Sequence, residues 1–177
     1  MNTSSERSKY LSYLLRPAPE KANLTLDKQG WCLIDQLLAN TDFTEEELSS
    51  IVFNDTKGRY AFDAFATSIR ANQGHSTKDV RLTFNKAVPP VVLYHGTSKH
   101  AQAEIQRVGL LPMSRHHVHL SADLDTAQTV GGRRRGQTVV FEIDAKTMLA
   151  NGYTFFLSEN GVWLVDAVPP PFLKVLA

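Results

Sequence analysis

Apolar residues first recur at helical spacing between Ser8 and Leu15, where Tyr10, Leu11, Leu14 and Leu15 fall on one face. Arg16-Pro17-Ala18-Pro19 ends that pattern, because proline disfavours helical backbone in the residue before it. Arg16 is thereby left as a cation at a helix C-terminus, where it complements the dipole. Leu24 to Leu26 reads as a short strand, Asp27-Lys28-Gln29-Gly30 as a turn, and Trp31 to Leu38 as a second helix. Thr44 is placed to cap a third helix, with Glu47 completing a capping box and Phe43 and Leu48 forming a hydrophobic staple. Arg59 to Phe62 and Phe65 to Arg70 then alternate as two strands.

Three small helices followed by a strand pair is the order of a winged-helix module, although element order does not establish its use. Asn85 to Pro90 marks a boundary, since Ala87-Val88-Pro89-Pro90 is stiff and non-helical. Beyond it, Val91 to Tyr94 is a buried-strand run that leads into His95-Gly96-Thr97-Ser98. A helix over Lys99 to Val108 stops at Gly109, and a strand is expected at Val118 to Ser121. Asp123 to Thr129 reads as helix and Thr138 to Ile143 as an apolar strand. Thr154 to Leu157 and Val162 to Val165 flank Ser158-Glu159-Asn160-Gly161, whose Asn-Gly pair signals a hairpin. Many short strands with few helices indicate a small β-sandwich or split sheet. No Gly-x-Gly-x-x-Gly follows a strand, so a Rossmann site is unsupported.

Composition narrows the functional classes. The 177 residues are 42% hydrophobic and 21% charged, the balance of an ordinary soluble protein. No apolar run reaches the length of a membrane span, and Met1 to Arg7 has no apolar signal core. The single cysteine, Cys32, rules out an internal disulfide and fits a reducing compartment, so a cytoplasmic location is expected. His116, His117 and His119 lie close together but lack the partners and spacing of a metal site, and no metal is expected. The net charge of +1 argues against a general hold on duplex backbone. Basic residues are nevertheless focused: Arg133-Arg134-Arg135 are consecutive, and Arg115 precedes the histidines. Focused basic clusters in a neutral chain suit a defined polyanionic ligand.

The richest stretch is Ser68-Ile69-Arg70-Ala71-Asn72-Gln73-Gly74-His75-Ser76. A short strand breaks there into a loop with many hydrogen-bond donors and no anion. Arg70 offers a bidentate fork, Asn72 and Gln73 offer amide donors, and Gly74 lets backbone approach a ligand. A phosphate or nucleotide suits such a loop; the same residues also suit a solvated turn.

In order along the chain stand LSYLLR (11–16), GW (30–31), IRANQGHS (69–76), LYHGTS (93–98), GLLPMSRHHVHLS (109–121), RRG (134–136) and SENGVWL (158–164). In this order the motifs resemble the RNA 2′-phosphotransferase family, the KptA or tRNA 2′-phosphotransferase type, from about Ser8 to Phe172. The resemblance implies an α+β protein. An N-terminal winged-helix lobe that binds RNA (1–86) would precede a C-terminal ADP-ribosyltransferase-like split β-sandwich lobe that binds NAD⁺ (87–177). The implied reaction has two steps. The RNA 2′-phosphate attacks the anomeric carbon of the nicotinamide ribose and expels nicotinamide; the 2″-hydroxyl then attacks phosphorus. The products are 2′-hydroxyl RNA and ADP-ribose 1″,2″-cyclic phosphate. The phosphate nucleophile is already anionic, so arginines that position it and screen its charge meet the need without a metal.

The resemblance assigns catalysis to Arg16, Arg70 and one of the arginine run. That one is Arg134, with Arg133 the fallback because the run carries one extra residue. His95, Gly96, Thr97, His119, Ser121, Gly161 and Val162 are assigned to NAD⁺, the last two through backbone contacts. Asn72, Gln73, His75 and Ser76 are assigned to 2′-phosphorylated RNA, and a monomer is expected. Glu159 is read as a hairpin-turn residue. One position departs from the family: Pro17 stands where a histidine usually follows the first catalytic arginine. Proline offers no donor, acceptor or titratable side chain, so the second step is expected to slow. Two other readings are an ADP-ribosyltransferase that caps nucleic-acid phosphates and a non-catalytic RNA-binding relative. A stable ADP-ribosyl conjugate would mark the first, and failure to bind NAD⁺ the second.

Overall fold

The computed structural model describes residues 4–132 and 136–176. The chain forms two compact units that part between Thr83 and Phe84, slightly ahead of the boundary drawn from sequence. Among the described residues, helices and antiparallel sheets mix in an α+β arrangement. No helix among them is long and apolar enough to cross a membrane.

The first unit opens with α1 (Ser4–Leu14), which buries Leu11 and Leu14 completely, as is Leu15 just past its end. Leu24 to Leu26 is not a strand. The Gln36 side chain takes its backbone groups instead, accepting from Thr25 N at 3.0 Å and donating to Asn23 O at 3.2 Å. The second helix also starts later than its apolar spacing suggested. Trp31 N is held by Asp27 Oδ1 at 2.9 Å, and Cys32 and Leu33 are drawn into a strand, β1 (Cys32–Leu33). α2 (Ile34–Asn40) follows.

Thr44 caps α3 (Glu45–Phe53) as expected, its side chain accepting from Glu47 N, and Phe43 and Leu48 are both buried. The Glu47 carboxylate, however, turns to Arg7: Nε donates to Oε1 at 2.5 Å and Nη2 to Oε2 at 2.7 Å. A charge-assisted fork outcompetes the reciprocal capping bond. β2 (Tyr60–Phe62) and β3 (Ser68–Ala71) complete the unit in a sheet ordered β1-β3-β2. Ile69 and Ala71 of β3 enter the same core as Leu11, Leu37 and Leu48, so β3 carries the central packing while alternate residues face away from it.

The second unit holds two antiparallel sheets. One is ordered β10-β7-β5, from β5 (Val92–Ser98), β7 (Thr138–Asp144) and β10 (Leu173–Leu176). The other is ordered β4-β8-β9-β6, from β4 (Asn85–Lys86), β6 (Val118–Leu120), β8 (Phe156–Leu157) and β9 (Trp163–Val165). Leu93, Phe141 and Ile143 from the first sheet share one core with Val118, Leu120, Trp163 and Val165 from the second. α4 (Gln102–Val108) ends at Gly109 (φ 86°), and α5 (Leu124–Gly131) begins at Asp123, which accepts from Thr126 N. β4, β10 and the helix α6 (Ala145–Ala150) were not read from sequence. They are short, and only the Asp144 cap on Thr147 N marks α6 locally.

Candidate active site

In the first unit, the polar loop is built where β3 ends. Arg70 is the third residue of β3, opposite Ala61 of β2. Its guanidinium carbon lies 4.5 Å from the centre of the Trp31 ring, a cation–π contact that orients the fork. Arg16 reaches the same loop from the end of α1. Its Cδ, Nε and Cζ pass 3.8 Å from the position a Cβ on Gly74 would take, and Gly74 has φ +86°. Buried Leu14 and Leu15 anchor this approach. Nε of both arginines, and Nη2 of Arg16, are shielded from solvent. Each guanidinium carries the planar fork of donors that a phosphate can accept from.

The rest of the loop divides. His75 is 2% exposed, and its Nε2 would lie 2.7 Å from a Cβ on Gly30, so that glycine makes room for the imidazole. Asn72 is buried, and its Nδ2 donates to Gly58 O at 2.8 Å and Tyr60 O at 3.4 Å. Both amide protons therefore pin the backbone around the start of β2. Gln73 and Ser76 are half-buried in the same loop. Pro17 is exposed beside Arg16.

In the second unit, His95 lies on β5 and His119 on β6. His95 Nδ1 is 3.0 Å from the His119 carbonyl, and His119 Nδ1 is 3.0 Å from the His117 carbonyl. A carbonyl only accepts, so each Nδ1 carries a proton, and when such a ring is neutral its Nε2 is the acceptor. Burial holds the His95 pKa below its ordinary value; the His119 carbonyl opposes that and Arg115 adds to it. Burial also lowers His117, so its 3.8 Å approach to Asp166 is not an ion pair near neutrality. Tyr94 and Ser121 exchange backbone hydrogen bonds at 2.9 and 2.8 Å, which fixes the β5 and β6 segments side by side. Thr97 is half-buried on β5, opposite Val139.

Gly96 is buried on β5. A Cβ there would lie 1.7 Å from the Ala127 carbonyl oxygen, so the missing side chain lets α5 pack on β5. Gly161 (φ +76°) has open space where its Cβ would be, at the turn between β8 and β9. The Val162 backbone is committed to that turn: its N–H donates to Ser158 Oγ and its carbonyl accepts from Ser158 N, both at 3.0 Å. Arg134 and its fallback Arg133 lie outside the described residues.

Two contributors escaped the sequence reading. Trp31, expected only as the first residue of the second helix, faces Arg70; its position beside β1, which pairs with β3, is the available signal. Ser158 is buried at the hub of its turn, which nothing in the local pattern marks. Among the described residues, no three His, Cys, Asp or Glu side chains gather as metal ligands would.

Comparison with known proteins adds a second line. The profile of the family described as RNA 2′-phosphotransferase, Tpt1 / KptA family, matches residues 2–167. A protein of Rhizobium johnstonii called probable RNA 2′-phosphotransferase is 47% identical over 174 residues, covering 96% of this chain and 93% of that one. Proteins of the same name from Trichormus variabilis and Nostoc punctiforme are 48% and 49% identical. The alignments cover 96% of this chain and 94% of the first relative, and 94% of each chain for the second.

Proposed function

Because the chain belongs to the RNA 2′-phosphotransferase, Tpt1 / KptA family, we propose that it removes an internal 2′-phosphate from RNA by transferring it to NAD⁺. The products would be 2′-hydroxyl RNA, nicotinamide and ADP-ribose 1″,2″-cyclic phosphate. The observation that carries this reading is the loop after β3, where Arg16 crosses Gly74 and Arg70 stacks on Trp31. In this reading the two guanidinium groups bind the 2′-phosphate and screen charge as it grows on the phosphorus oxygens. Arg134, or Arg133 in its place, supplies the third.

The second unit is read as the ADP-ribosyltransferase-type lobe and the first as a winged-helix lobe for RNA. The residues of the second unit fit NAD⁺ in the chemistry of their donors and acceptors. His95, kept neutral with Nε2 as acceptor, suits a ribose hydroxyl. His119 has the same tautomer, and Thr97 and Ser121 add hydroxyls. NAD⁺ supplies an electrophilic sugar carbon with a good leaving group; the protein's part is to bind, orient and screen.

Incubation with a 2′-phosphorylated oligoribonucleotide, with and without NAD⁺, followed by mass spectrometry of both products, tests the reading. Loss of phosphate from RNA only with NAD⁺, together with the cyclic phosphate, is expected. A stable ADP-ribosyl conjugate would point instead to an enzyme that caps phosphates. Unchanged RNA would overturn both.

A further inference from the structure

The Asp27–Trp31 turn is tied more tightly than a connector requires. Asp27 Oδ1 accepts from Gln29 N at 2.8 Å and Trp31 N at 2.9 Å, while Asp27 N donates to Trp31 O at 3.0 Å. Gly30 N closes onto Asp27 O at 3.0 Å with Gly30 at φ +77°. Gln29 then clamps a second segment: its Nε2 donates to Arg81 O and Thr83 Oγ1, and its Oε1 accepts from Thr83 N at 3.1 Å. Arg81 N adds a bond to Lys28 O at 2.8 Å. Three of the turn's residues thus hold backbone in place. The next two meet the polar loop: Trp31 lies under the Arg70 guanidinium, and Gly30 leaves the space that the buried His75 ring fills, with Leu82 against the same point.

We propose that this turn is a positioning element for the phosphate loop, in which Trp31 sets the plane of the Arg70 fork and Gly30 sets the place of the His75 ring. The inference rests on the reading of Arg70 as a phosphate ligand. Arginine needs such help: its long side chain loses much rotamer freedom when fixed, and a bidentate contact with phosphate depends on the plane of the fork. A flat aromatic face restricts the guanidinium without itself taking up any N–H donor. Trp31 is a positioning residue here, since it acts through Arg70. Gly30 works by exclusion: any Cβ would collide with the imidazole, and the positive φ would be strained as well.

The test uses the full chain, a 2′-phosphorylated oligoribonucleotide and its 2′-hydroxyl twin as the binding probes, and NAD⁺ in a separate titration. In Trp31→Leu, preference for the phosphorylated probe should fall roughly tenfold, while the NAD⁺ affinity stays within about twofold. Trp31→Phe, which keeps a ring face, should recover most of that preference. Trp31→Leu with wild-type preference, or Trp31→Phe as impaired as Trp31→Leu, overturns the proposal, because a purely structural tryptophan would not track the ring face. If Trp31→Leu fails to fold, Trp31→Met takes its place: a loss confined to the phosphorylated probe that Trp31→Phe largely recovers supports the proposal, and equal loss in both variants, or none in Trp31→Met, overturns it. The Gly30 arm is a double-mutant cycle. Gly30→Ala should weaken the phosphorylated probe strongly alone and much less in a His75→Ala background; equal losses in both backgrounds overturn that part. Wild-type protein that shows no preference for the phosphorylated probe would instead sink the reading of Arg70 itself, a result distinct from any of these.

Discussion

The Cβ that Gly96 lacks would lie 1.7 Å from the carbonyl oxygen of Ala127 and 2.6 Å from its carbon. α5 therefore packs backbone to backbone on β5, and a Cβ on Gly131 would in turn lie 2.8 Å from Thr97 N. Gly96→Ala should lower the stability of the second unit by about 3 kcal/mol or more, because backbone on both sides must move. Gly152→Ala, with φ +88° and open space around it, should cost only ~1 kcal/mol from the backbone conformation. Urea unfolding of the two variants followed by circular dichroism checks the contrast. Equal losses would mean that α5 shifts freely.

His95 gives the second unit a pH dependence whose sign is fixed by burial. Its pKa is lowered in the folded state, so on acidification the unfolded chain takes up the proton first. The stability due to neutral His95 is present above the ordinary imidazole value of 6.5 and is lost as the pH falls through it towards the folded value. His117 acts in the same direction. The melting temperature should thus drop between pH 7.5 and 5.5, and His95→Asn should flatten that slope. NAD⁺ binding followed by calorimetry should weaken only at lower pH, where the folded ring itself takes up a proton, because a protonated Nε2 no longer accepts a hydrogen bond.

Elements marked by chemistry local to the chain were legible from sequence. Thr44 and Asp123 announce their helices because a cap is read from a single side chain, and Gly109 ends α4 with a positive φ that few other residues adopt. Asn160-Gly161 marked the β8–β9 turn for the same reason. Features decided at long range were not legible. Gln36 takes the backbone bonds of Asn23 and Thr25, and Glu47 turns to Arg7, forty positions away in sequence. The site followed this division. The motifs named Arg16, Arg70, His75 and His95, and residue types argued for phosphate and hydroxyl binding. That Asn72 spends its donors on Gly58 and Tyr60, and that Gly96 makes room for a helix, depends on neighbours the pattern does not display.

Arg7 is the side chain through which α1 and the start of α3 are joined. Its side chain is 9% exposed, donates to both oxygens of Glu47 and to Asp42 Oδ1 at 2.8 Å, and lies 4.1 Å over the Phe43 ring. Arg7→Ala should destabilise the first unit by about 2 kcal/mol, since packing and a charged fork are lost together. Arg7→Lys should recover part of this, because an ammonium keeps the charge but not the fork. Hydrogen bonds from Arg7 hold the Glu47 and Asp42 carboxylates below their ordinary range. Their contribution is present above the ordinary values and is lost as the pH falls through the folded ones. The gap between wild type and Arg7→Ala should therefore narrow in acid unfolding profiles below about pH 4. A constant gap between them would leave packing on Phe43 as the whole effect.

Pro17 separates the two steps of the proposed reaction. Where the family resemblance places a histidine, this chain has an exposed proline directly after Arg16. The first step needs an anionic phosphate held in place, a need that the proposed pair Arg16 and Arg70 would meet without a proton donor. The second step turns a hydroxyl into a nucleophile and loads more charge onto phosphorus, where a nearby titratable group helps most. Removing that group should slow the second step selectively, on the order of a hundredfold for one general acid or base. His75 is the nearest titratable member of the motif, but it is 2% exposed and packed against Gly30, which limits its use as a substitute. Rapid-quench time courses with 2′-phosphorylated RNA and NAD⁺ should therefore show ADP-ribosylated RNA rising before the cyclic phosphate. Pro17→His should shorten that lag while leaving nicotinamide release nearly unchanged. Prompt cyclic phosphate in the wild type, with no detectable lag, would mean that the guanidinium groups alone carry the second step.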